Sequence, residues 1–401
     1  MTHLSRTIKN LSESQTIAMS RRSRELQAEG LDIINLSLGE PDFNVPDVVK
    51  QAAIDAVNNN CSHYTPVPGY NELLESIVTK LKRDNNLTYT AKNIVVSTGA
   101  KQSLANVIMS IVDDNEEVIL PAPYWVSYLE LVKLARATPK VIPTSIDNDF
   151  KITPKQLEAA ITPQTRLMIF SSPCNPSGSV YSKEELKGIA EVMERHPDLY
   201  VICDEIYEYI NFVGKHESLA SFDSIKDRVI TVNGVSKGFA MTGYRIGFIA
   251  AAEWIASACT KMQGQFTSGA SSIAQMAAAK AFNEGPAIIT HMQEAFARRR
   301  KLMLDGLSQI DGLKINEPEG AFYFFPEVSS FFGSTVNGRT INDSNDLCMY
   351  LLEEGLVATV PGEAFGSPNN IRLSYATSDE ILTEAINRIS KSLAALEIPV
   401  A

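Results

Sequence analysis

The chain has 401 residues, of which 44% are hydrophobic and 21% are charged, which is typical of a soluble globular protein with two lobes or one large and one small domain. Its formal net charge is -11, and this acidity argues against a nucleic-acid-binding surface, which needs a basic face. The five cysteines are scattered without a CxxC pair, so neither a disulfide framework nor a zinc site is expected, and no metal is predicted.

The segment Met1–Arg6 lacks the apolar core of a signal peptide. No stretch approaches the roughly 20 apolar residues that a membrane span needs. These features predict a cytoplasmic protein that partners neither a membrane nor a nucleic acid.

The first predicted element is an amphipathic helix over Ile17–Glu29. Strands and helices then alternate, and several strands are apolar on both faces, as expected inside a parallel sheet covered by helices. The predicted strands are Asn93–Thr98, Glu117–Leu120, Arg166–Ser171, Leu199–Cys203, Val229–Val232 and Ile246–Ala250. Helices are expected between them, for example over Lys101–Val112 and Lys183–Arg195, and Ser182 with Glu185 forms a capping-box pattern before the second. This alternation predicts an α/β fold with crossover helices.

The last third of the chain has a different pattern. It predicts a helix over His291–Leu307, then short strands, then a final helix over Asp379–Leu396. The short strands are Ala321–Pro326, Leu356–Val360 and Asn370–Ser374. We therefore predict a large domain over 48–290 and a smaller domain that combines the N-terminal arm, 1–47, with residues 291–401.

Polar, glycine-containing or aromatic segments follow five of the predicted strands. Ligands of open parallel sheets bind beyond the carboxyl ends of the strands, so these segments are candidates for one binding site. They are Ser97–Gln102, Pro121–Trp125, Ser172–Gly178, Asp204–Tyr207 and Asn233–Gly247.

Each segment has an ordinary structural explanation when taken alone. Asp204 ends a buried strand, so its carboxylate needs a partner or a proton, although a helix N-cap would explain it too. Gly99 begins a helix that could bind an anion or form a simple tight turn. Lys237 near Gly238 would usually be a solvated lysine, and neither GxxxxGK[ST] nor GxGxxG occurs in the chain. Trp125 could belong to the core.

The order and spacing of these segments resemble fold-type I pyridoxal-phosphate (PLP) enzymes, and specifically the class I aminotransferase family. The resemblance runs from about Gln15 to about Asn387 and is most specific in Ser172–Gly178, Asp204–Tyr207 and Ser236–Gly247. It implies a large domain with a mostly parallel central sheet flanked by helices, plus a smaller α+β domain built from both chain ends. Bacterial aspartate aminotransferases are the most similar branch.

The resemblance also implies roles for individual residues at the cofactor ring. Lys237 matches the lysine that holds PLP covalently and then acts as general acid and base. Asp204 matches the carboxylate that keeps the pyridine nitrogen protonated. Tyr207 and Asn175 match the pair that donates hydrogen bonds to the ring 3′-oxygen, and Trp125 matches the aromatic residue that stacks on the ring.

The implied phosphate site combines the backbone N–H groups of Gly99 and Ala100 with Ser236 and Arg245, since arginine suits phosphate geometry. Some relatives have a serine where this chain has Gly234, so one side-chain donor is expected to be missing.

The remaining implied contacts concern a second subunit and the substrate. Tyr64 resembles the tyrosine that reaches the phosphate of the neighbouring subunit, which implies a homodimer with shared active sites. Arg372 matches the arginine that binds the substrate α-carboxylate, although by itself it would pass for a surface salt bridge. Gly39 resembles a backbone contact to the substrate, which Trp125 and Asn175 are also expected to touch.

The substrate side chain has its own candidate partners. A dicarboxylic amino acid needs a second cation, and Lys101 stands where a lysine reads the distal carboxylate in one bacterial branch, assisted by a threonine that Thr16 matches. Lys101 could instead be a surface lysine or a phosphate contact. The expected reaction transfers the amino group of L-aspartate to 2-oxoglutarate, giving oxaloacetate and L-glutamate in a ping-pong cycle. Aromatic or neutral amino acids remain alternatives, whereas Ser12 stands where prephenate users tend to carry a lysine.

Three other classes of protein compete with this interpretation. A carbon–sulfur β-lyase or a decarboxylase would use the same lysine and aspartate, but Lys101 argues against them. A PLP-binding module of a transcription regulator would carry a DNA-binding domain, for which there is no room before Gln15. A dehydrogenase would need the missing glycine fingerprint.

Overall fold

A computed structural model describes residues 3–13 and 15–397, so the outermost ends of the two predicted terminal segments, 1–2 and 398–401, lie outside the described residues. Its strands are β1 (Ile34–Asn35), β2 (Ile94–Thr98), β3 (Glu117–Ala122), β4 (Thr138–Pro143), β5 (Thr165–Ser171), β6 (Tyr200–Asp204), β7 (Val229–Gly234), β8 (Ile246–Ala250), β9 (Tyr323–Phe324), β10 (Thr335–Val336), β11 (Arg339–Thr340), β12 (Val357–Ala358), β13 (Val360–Pro361) and β14 (Ile371–Ser374). Its α-helices are α1 (Arg6–Asn10), α2 (Gln15–Ala28), α3 (Asp47–Asn58), α4 (Asn71–Asn85), α5 (Ala100–Ile111), α6 (Ser127–Leu134), α7 (Pro154–Ala160), α8 (Lys183–Arg195), α9 (Glu253–Phe266), α10 (Ser272–Glu284), α11 (Thr290–Leu307), α12 (Ser344–Glu353) and α13 (Asp379–Ala394).

The largest sheet has seven strands in the order β2-β8-β7-β6-β5-β3-β4. Only β8 runs antiparallel to its neighbours, so the mostly parallel sheet predicted from the sequence is confirmed. Strand β4 is not predicted from the sequence, because this edge strand carries Pro139 and Pro143 and contains only half-buried and exposed residues. Proline is tolerated at a sheet edge, and such a strand lacks the apolar run that marks the central ones.

Helices cover both faces of this sheet. Successive residues of a strand point to opposite faces, so Val201 and Cys203 of β6 belong to one apolar core and Ile202 to the other. Helix α8 begins with the predicted capping box, in which the Glu185 N–H donates to Ser182 Oγ at 3.2 Å and the Ser182 N–H donates to Glu185 Oε2 at 2.7 Å.

A third apolar core joins the two ends of the chain. It combines Met19, Leu26 and Leu36 with residues of α11 to α13 and of β9, β12 and β14, and the segment 206–210 of the large domain packs against it. The single strand predicted over Leu356–Val360 is wrong, because the chain changes partner within it: β12 pairs with β1, and β13 pairs with β14. This shared core supports the domain division into 48–290 and the two chain ends, which we retain as a proposal.

The described helices include none that is both long enough and apolar enough to cross a lipid bilayer.

Candidate active site

A cavity of about 350 Å³ opens at the carboxyl edge of the seven-stranded sheet, in the size range of small-molecule sites. Its wall includes twelve of the predicted site residues: Thr16, Gly39, Ala100, Lys101, Trp125, Asn175, Asp204, Tyr207, Ser236, Lys237, Arg245 and Arg372. Gly99 directly precedes the wall residue Ala100. Tyr64 is outside the wall, and 99% of its surface is exposed in the single chain.

The carboxylate of Asp204 is buried at the last position of β6. It accepts hydrogen bonds from the Tyr128 hydroxyl at 2.8 Å and from the Ile206 N–H at 3.2 Å. Burial raises the pKa of Asp204 to about 6, against the lowering effect of these two donors. A buried carboxylate with so few donors is suited to a cationic or N–H partner in the cavity.

Lys237 follows β7, the strand next to β6, and its amino group lies in the same cavity. Its Nζ donates to the Gly39 carbonyl oxygen at 2.5 Å. Burial lowers the pKa of Lys237 to about 8, and the cations Arg372 and Arg245 act in the same direction against the raising effect of Glu40. The amine is therefore partly neutral near physiological pH, as a nucleophile or general base requires.

Positive charge gathers where β2 leads into α5. Gly99 caps α5 with φ 82°, a conformation that favours glycine, and a side chain at this position would overlap the Arg245 guanidinium. Arg245 donates to the Thr242 carbonyl oxygen at 2.9 Å, and Lys101 Nζ lies 5.0 Å from the Trp125 ring centroid. Both cations contact neutral groups, so with the helix N-terminus they form a site for an anion.

The structure leaves little room for a side chain at position 234. A Cβ atom on Gly234 would lie 2.6 Å from the Ile246 carbonyl oxygen and 2.9 Å from the Gly247 Cα, because β7 and β8 pack closely there. This packing favours glycine, and the loss of one phosphate donor stays a prediction.

A second cationic region of the cavity wall is formed by Arg372 on β14. The Arg372 guanidinium is buried and donates to Asn175 Oδ1 at 2.9 Å and to the Ser37 carbonyl oxygen at 2.6 Å. It also lies 4.6 Å from the Tyr323 ring centroid. Its surroundings contradict the surface salt-bridge explanation, and a buried guanidinium with only neutral partners is suited to an anionic ligand.

Tyr207 and Asn175 each form a hydrogen bond with another residue of the cavity wall. The Tyr207 hydroxyl lies 2.7 Å from the Tyr323 hydroxyl, and the Asn175 carbonyl oxygen is occupied by Arg372. Either tyrosine hydroxyl can be the donor in their shared bond, and Arg372 occupies only the oxygen of the Asn175 amide. The hydrogen bonds from Tyr207 and Asn175 to a ring oxygen therefore stay a prediction.

Tyr128, Tyr323 and Glu40 of the site were not predicted from the sequence. Tyr128 and Tyr323 contact the predicted polar residues directly, and Glu40 forms a short hydrogen bond with Thr242 at the cavity wall. Tyr128 and Tyr323 lie in apolar surroundings in the sequence, so their burial was visible in the pattern but their polar partners were not.

Comparisons with known proteins place the whole chain in one family. Residues 31–389 match the family "Aminotransferase class I and II". A bifunctional aspartate aminotransferase and glutamate/aspartate-prephenate aminotransferase of Petunia hybrida is 46% identical over 99% of this chain and 84% of its own length.

Solved structures agree. The aspartate aminotransferase of Rhizobium meliloti superposes with a TM-score of 0.95 at 40% identity, covering 99% of this chain and all of the other. The Thermus thermophilus enzyme with maleate gives 0.91 at 37% identity, covering 98% of this chain and all of the other. The chain therefore has the fold-type I architecture and belongs to the class I and II aminotransferase family.

Proposed function

We propose that this aminotransferase uses PLP held on Lys237 to transfer the amino group of L-aspartate to 2-oxoglutarate. The observation that carries the proposal is the cavity itself, which combines a lysine of lowered pKa and a buried carboxylate with two separate cationic regions. Amino acids and 2-oxo acids are its small-molecule partners.

The residues present fit PLP. The α5 N-terminus, Ser236 and Arg245 would hold the phosphate, and Asp204 would hold the ring nitrogen. Strands β2 and β6 are three positions apart in the sheet, about 14 Å at the usual spacing, and β7 with its lysine lies between them. An elongated ligand with an anionic end and a basic ring matches this order.

Bound PLP would supply an electron sink for the electron pair left at the substrate Cα. The protein's own contribution is proton transfer and orientation. The Lys237 amine would take the proton from the substrate Cα and deliver it to the C4′ carbon of the cofactor. Ionised Asp204 would keep the ring nitrogen protonated. Tyr207 would donate to the ring oxygen, while Trp125 and Asn175 would hold the ring in place.

Arg372 is the proposed partner of the substrate α-carboxylate. One of its amino groups donates to Asn175 Oδ1 and the other donates to the Ser37 carbonyl oxygen. The guanidinium is therefore oriented before a substrate arrives. The Gly39 backbone lies beside Lys237 and would border the substrate from the N-terminal segment.

Lys101 and Thr16 are the proposed partners of the distal carboxylate of aspartate. Both line the cavity, and among the described residues the buried Thr16 Oγ1 has no hydrogen-bond partner. The relative from Thermus thermophilus was solved with maleate, which is also a dicarboxylate.

The experiment that tests the proposal is a panel of amino donors. The holoenzyme is mixed with single amino acids, and the visible absorbance of the bound cofactor is followed. Aspartate and glutamate should change it fastest. If only aromatic or aliphatic amino acids do so, the aspartate assignment fails, and release of pyruvate with ammonia would indicate a β-lyase.

Prephenate belongs in the same panel as an amino acceptor, because the name of the Petunia hybrida relative includes it. Ser12 donates its N–H to Glu130 at 2.9 Å and is not part of the cavity wall, so we expect prephenate to be a poorer acceptor than 2-oxoglutarate.

Replacing Lys101 by methionine should lower kcat/KM for aspartate by about 10- to 100-fold, the usual effect of losing a hydrogen bond to a charged group. Alanine as donor should lose less than about threefold, because it has no distal carboxylate. Lys133→Met is the control, since Lys133 pairs with Glu130 on α6 and does not line the cavity. Equal losses for aspartate and alanine would instead make Lys101 a cofactor contact.

We further propose a homodimer in which Tyr64 reaches the phosphate of the partner's cofactor. Tyr64 is fully exposed, and Arg245 and Lys101 are exposed too, so the anion site of a single chain faces solvent. The Tyr64 segment is anchored beside the start of α10, because the Thr65 hydroxyl donates to the Ala270 carbonyl oxygen and the Ser272 hydroxyl donates to the Cys61 carbonyl oxygen.

Mixed dimers test this arrangement. Tyr64→Phe alone should weaken PLP binding by about tenfold or more through the lost hydrogen bond to phosphate. A dimer of one Tyr64→Phe chain and one Lys237→Ala chain should regain one site of normal PLP affinity, because that site takes Lys237 and Tyr64 from different chains. A mixed dimer with no such site would show that Tyr64 serves its own chain.

A further inference from the structure

The hydroxyl of Tyr128 is the one side-chain donor to Asp204 within the described residues. Tyr128 is the second residue of α6, is 1% exposed, and lies 76 positions before its partner, with a hydrogen-bond length of 2.8 Å. Nothing in the proposed reaction uses this phenol so far.

The two carboxylate oxygens of Asp204 accept different hydrogen bonds. Oδ2 accepts the Tyr128 phenol, whereas Oδ1 accepts only the Ile206 N–H, at the longer distance of 3.2 Å. An ionised carboxylate offers about four acceptor positions, so most of the unused capacity is on Oδ1. The phenol thus determines which oxygen is left for a ligand in the cavity.

The same hydrogen bond favours the charged form of Asp204. Burial opposes ionisation, Glu205 next to it in the chain adds to that effect, and Tyr128, the Ile206 N–H and Lys237 work against it. Tyr128 itself remains a donor, because burial and the Asp204 charge raise the pKa of its phenol well above the usual value. Tyr207 and Cys203 are the other titratable groups close to this carboxylate.

Tyr128 also contacts the residue expected to stack on the cofactor. Its ring meets Trp125 edge to face, with the centroids 5.6 Å apart and an interplanar angle of 85°. One side chain therefore touches both the carboxylate and the aromatic residue on this side of the cavity.

We propose that Tyr128 is a positioning residue that keeps Asp204 ionised and its Oδ1 directed toward the ring nitrogen of the cofactor. The inference rests on the proposed role of Asp204 as the partner of that nitrogen. It assigns Tyr128 no contact with substrate or cofactor, so its effect must pass through Asp204.

The test measures binding of pyridoxamine 5′-phosphate to the apoprotein between pH 5 and 8, by fluorescence titration. This ligand has the ring nitrogen and the phosphate but forms no covalent bond to Lys237, so ring recognition is measured separately from lysine chemistry. The phosphate ionises at about pH 6 in solution, and this contribution is common to all variants.

Tyr128→Phe should weaken binding at neutral pH by about tenfold or more, the usual effect of removing a hydrogen bond to a charged group. It should also move the acid limb of the affinity profile to higher pH, because Asp204 then ionises less readily. Replacing Tyr128 by 2,3-difluorotyrosine, a stronger donor of almost the same shape, should move the limb to lower pH. This second variant decides the matter if Tyr128→Phe does not fold.

Tyr181→Phe is the matched control. Tyr181 is buried beside Tyr128 around one small cavity, and its hydroxyl accepts from the Ile152 N–H at 2.9 Å without touching Asp204. It should retain the wild-type affinity and acid limb. The inference is overturned if Tyr128→Phe behaves like Tyr181→Phe, or if the difluorotyrosine protein shows no shift of the limb.

Asp204→Asn separates failure of the inference from failure of the proposed function. If Asp204 holds the ring nitrogen, Asp204→Asn weakens binding, and adding Tyr128→Phe to it changes binding no further. A further loss in the double variant would show that Tyr128 acts independently of Asp204. Wild-type affinity in Asp204→Asn would instead overturn the ring-nitrogen assignment itself.

Discussion

Replacing Lys237 by alanine should lower kcat/KM for aspartate by about 10⁴-fold or more, because both the covalent attachment of PLP and the proton transfer at Cα depend on its amine. The amine is positioned for both tasks, next to Gly39 and one strand from Asp204. Steady-state assays with aspartate and 2-oxoglutarate measure the loss. Borohydride reduction of the holoenzyme followed by peptide mapping should find the pyridoxyl group on residue 237 of the wild type.

Lys187→Ala is the control for this substitution, since Lys187 is a surface residue of α8 paired with Glu191. It should leave turnover and attachment unchanged. Turnover above background in Lys237→Ala, or a pyridoxyl group on another lysine of the wild type, would refute the assignment.

The lowered pKa of Lys237 predicts a pH dependence for the binding of PLP to the apoprotein. The neutral amine is the nucleophile, and burial brings its pKa to about 8 in the protein without cofactor. The rate at which apoprotein captures PLP should therefore rise with pH and reach half its maximum near pH 8. A rate that stays flat between pH 6.5 and 9 would mean that the amine is not the group that titrates.

Replacing Lys80 by methionine should lower the free energy of unfolding by about 3–5 kcal/mol. The Lys80 ammonium is fully buried on α4 and contacts Glu208, whose side chain is 3% exposed. Removing the cation leaves a buried carboxylate with one neutral donor, the Asn85 amide at 2.9 Å. Urea unfolding of the PLP-saturated protein, followed by circular dichroism, measures the change.

Two further variants serve as a control and a rescue for Lys80→Met. Lys50→Met removes an exposed pair with Asp47 and should leave the free energy of unfolding nearly unchanged, because solvent screens such a pair. Adding Glu208→Gln to Lys80→Met removes the stranded charge but keeps an acceptor for Asn85, so it should restore most of the lost stability. If Lys80→Met costs no more than Lys50→Met, the buried pair does not stabilise the fold.

The Lys80–Glu208 pair lies next to the active site, because Glu208 belongs to the segment 204–208, which begins at the last residue of β6. Asp204 and Tyr207 line the cavity, whereas Glu205 and Glu208 of the same segment do not. Glu205 accepts from the Ser218 hydroxyl at 2.6 Å and pairs with His216, whose pKa is raised by the Glu205 and Glu208 charges against the lowering effect of burial. These contacts anchor the segment that presents the two cavity residues.

The sequence by itself determined the layout of the large domain and the candidates at its strand ends. The six strands predicted in the large domain are present with bounds shifted by at most two residues, because a buried strand is an apolar run bounded by turn residues. Asp204 and Lys237 follow such runs and line one cavity at the carboxyl edge of the sheet, and Gly99 follows another such run next to the wall residue Ala100. The resemblance to a family added Arg372, which no local pattern distinguishes from a surface arginine.

The tertiary structure alone decided the pairings between distant segments. Tyr128 meets Asp204 across 76 positions, and Arg372 meets the Ser37 carbonyl oxygen across 335. The edge strand β4 and the partner change between β12 and β13 also depend on the assembled fold. The physical reason is that sequence periodicity reports which face of an element is buried, whereas a polar partner is set by the order of strands and the packing of helices on them.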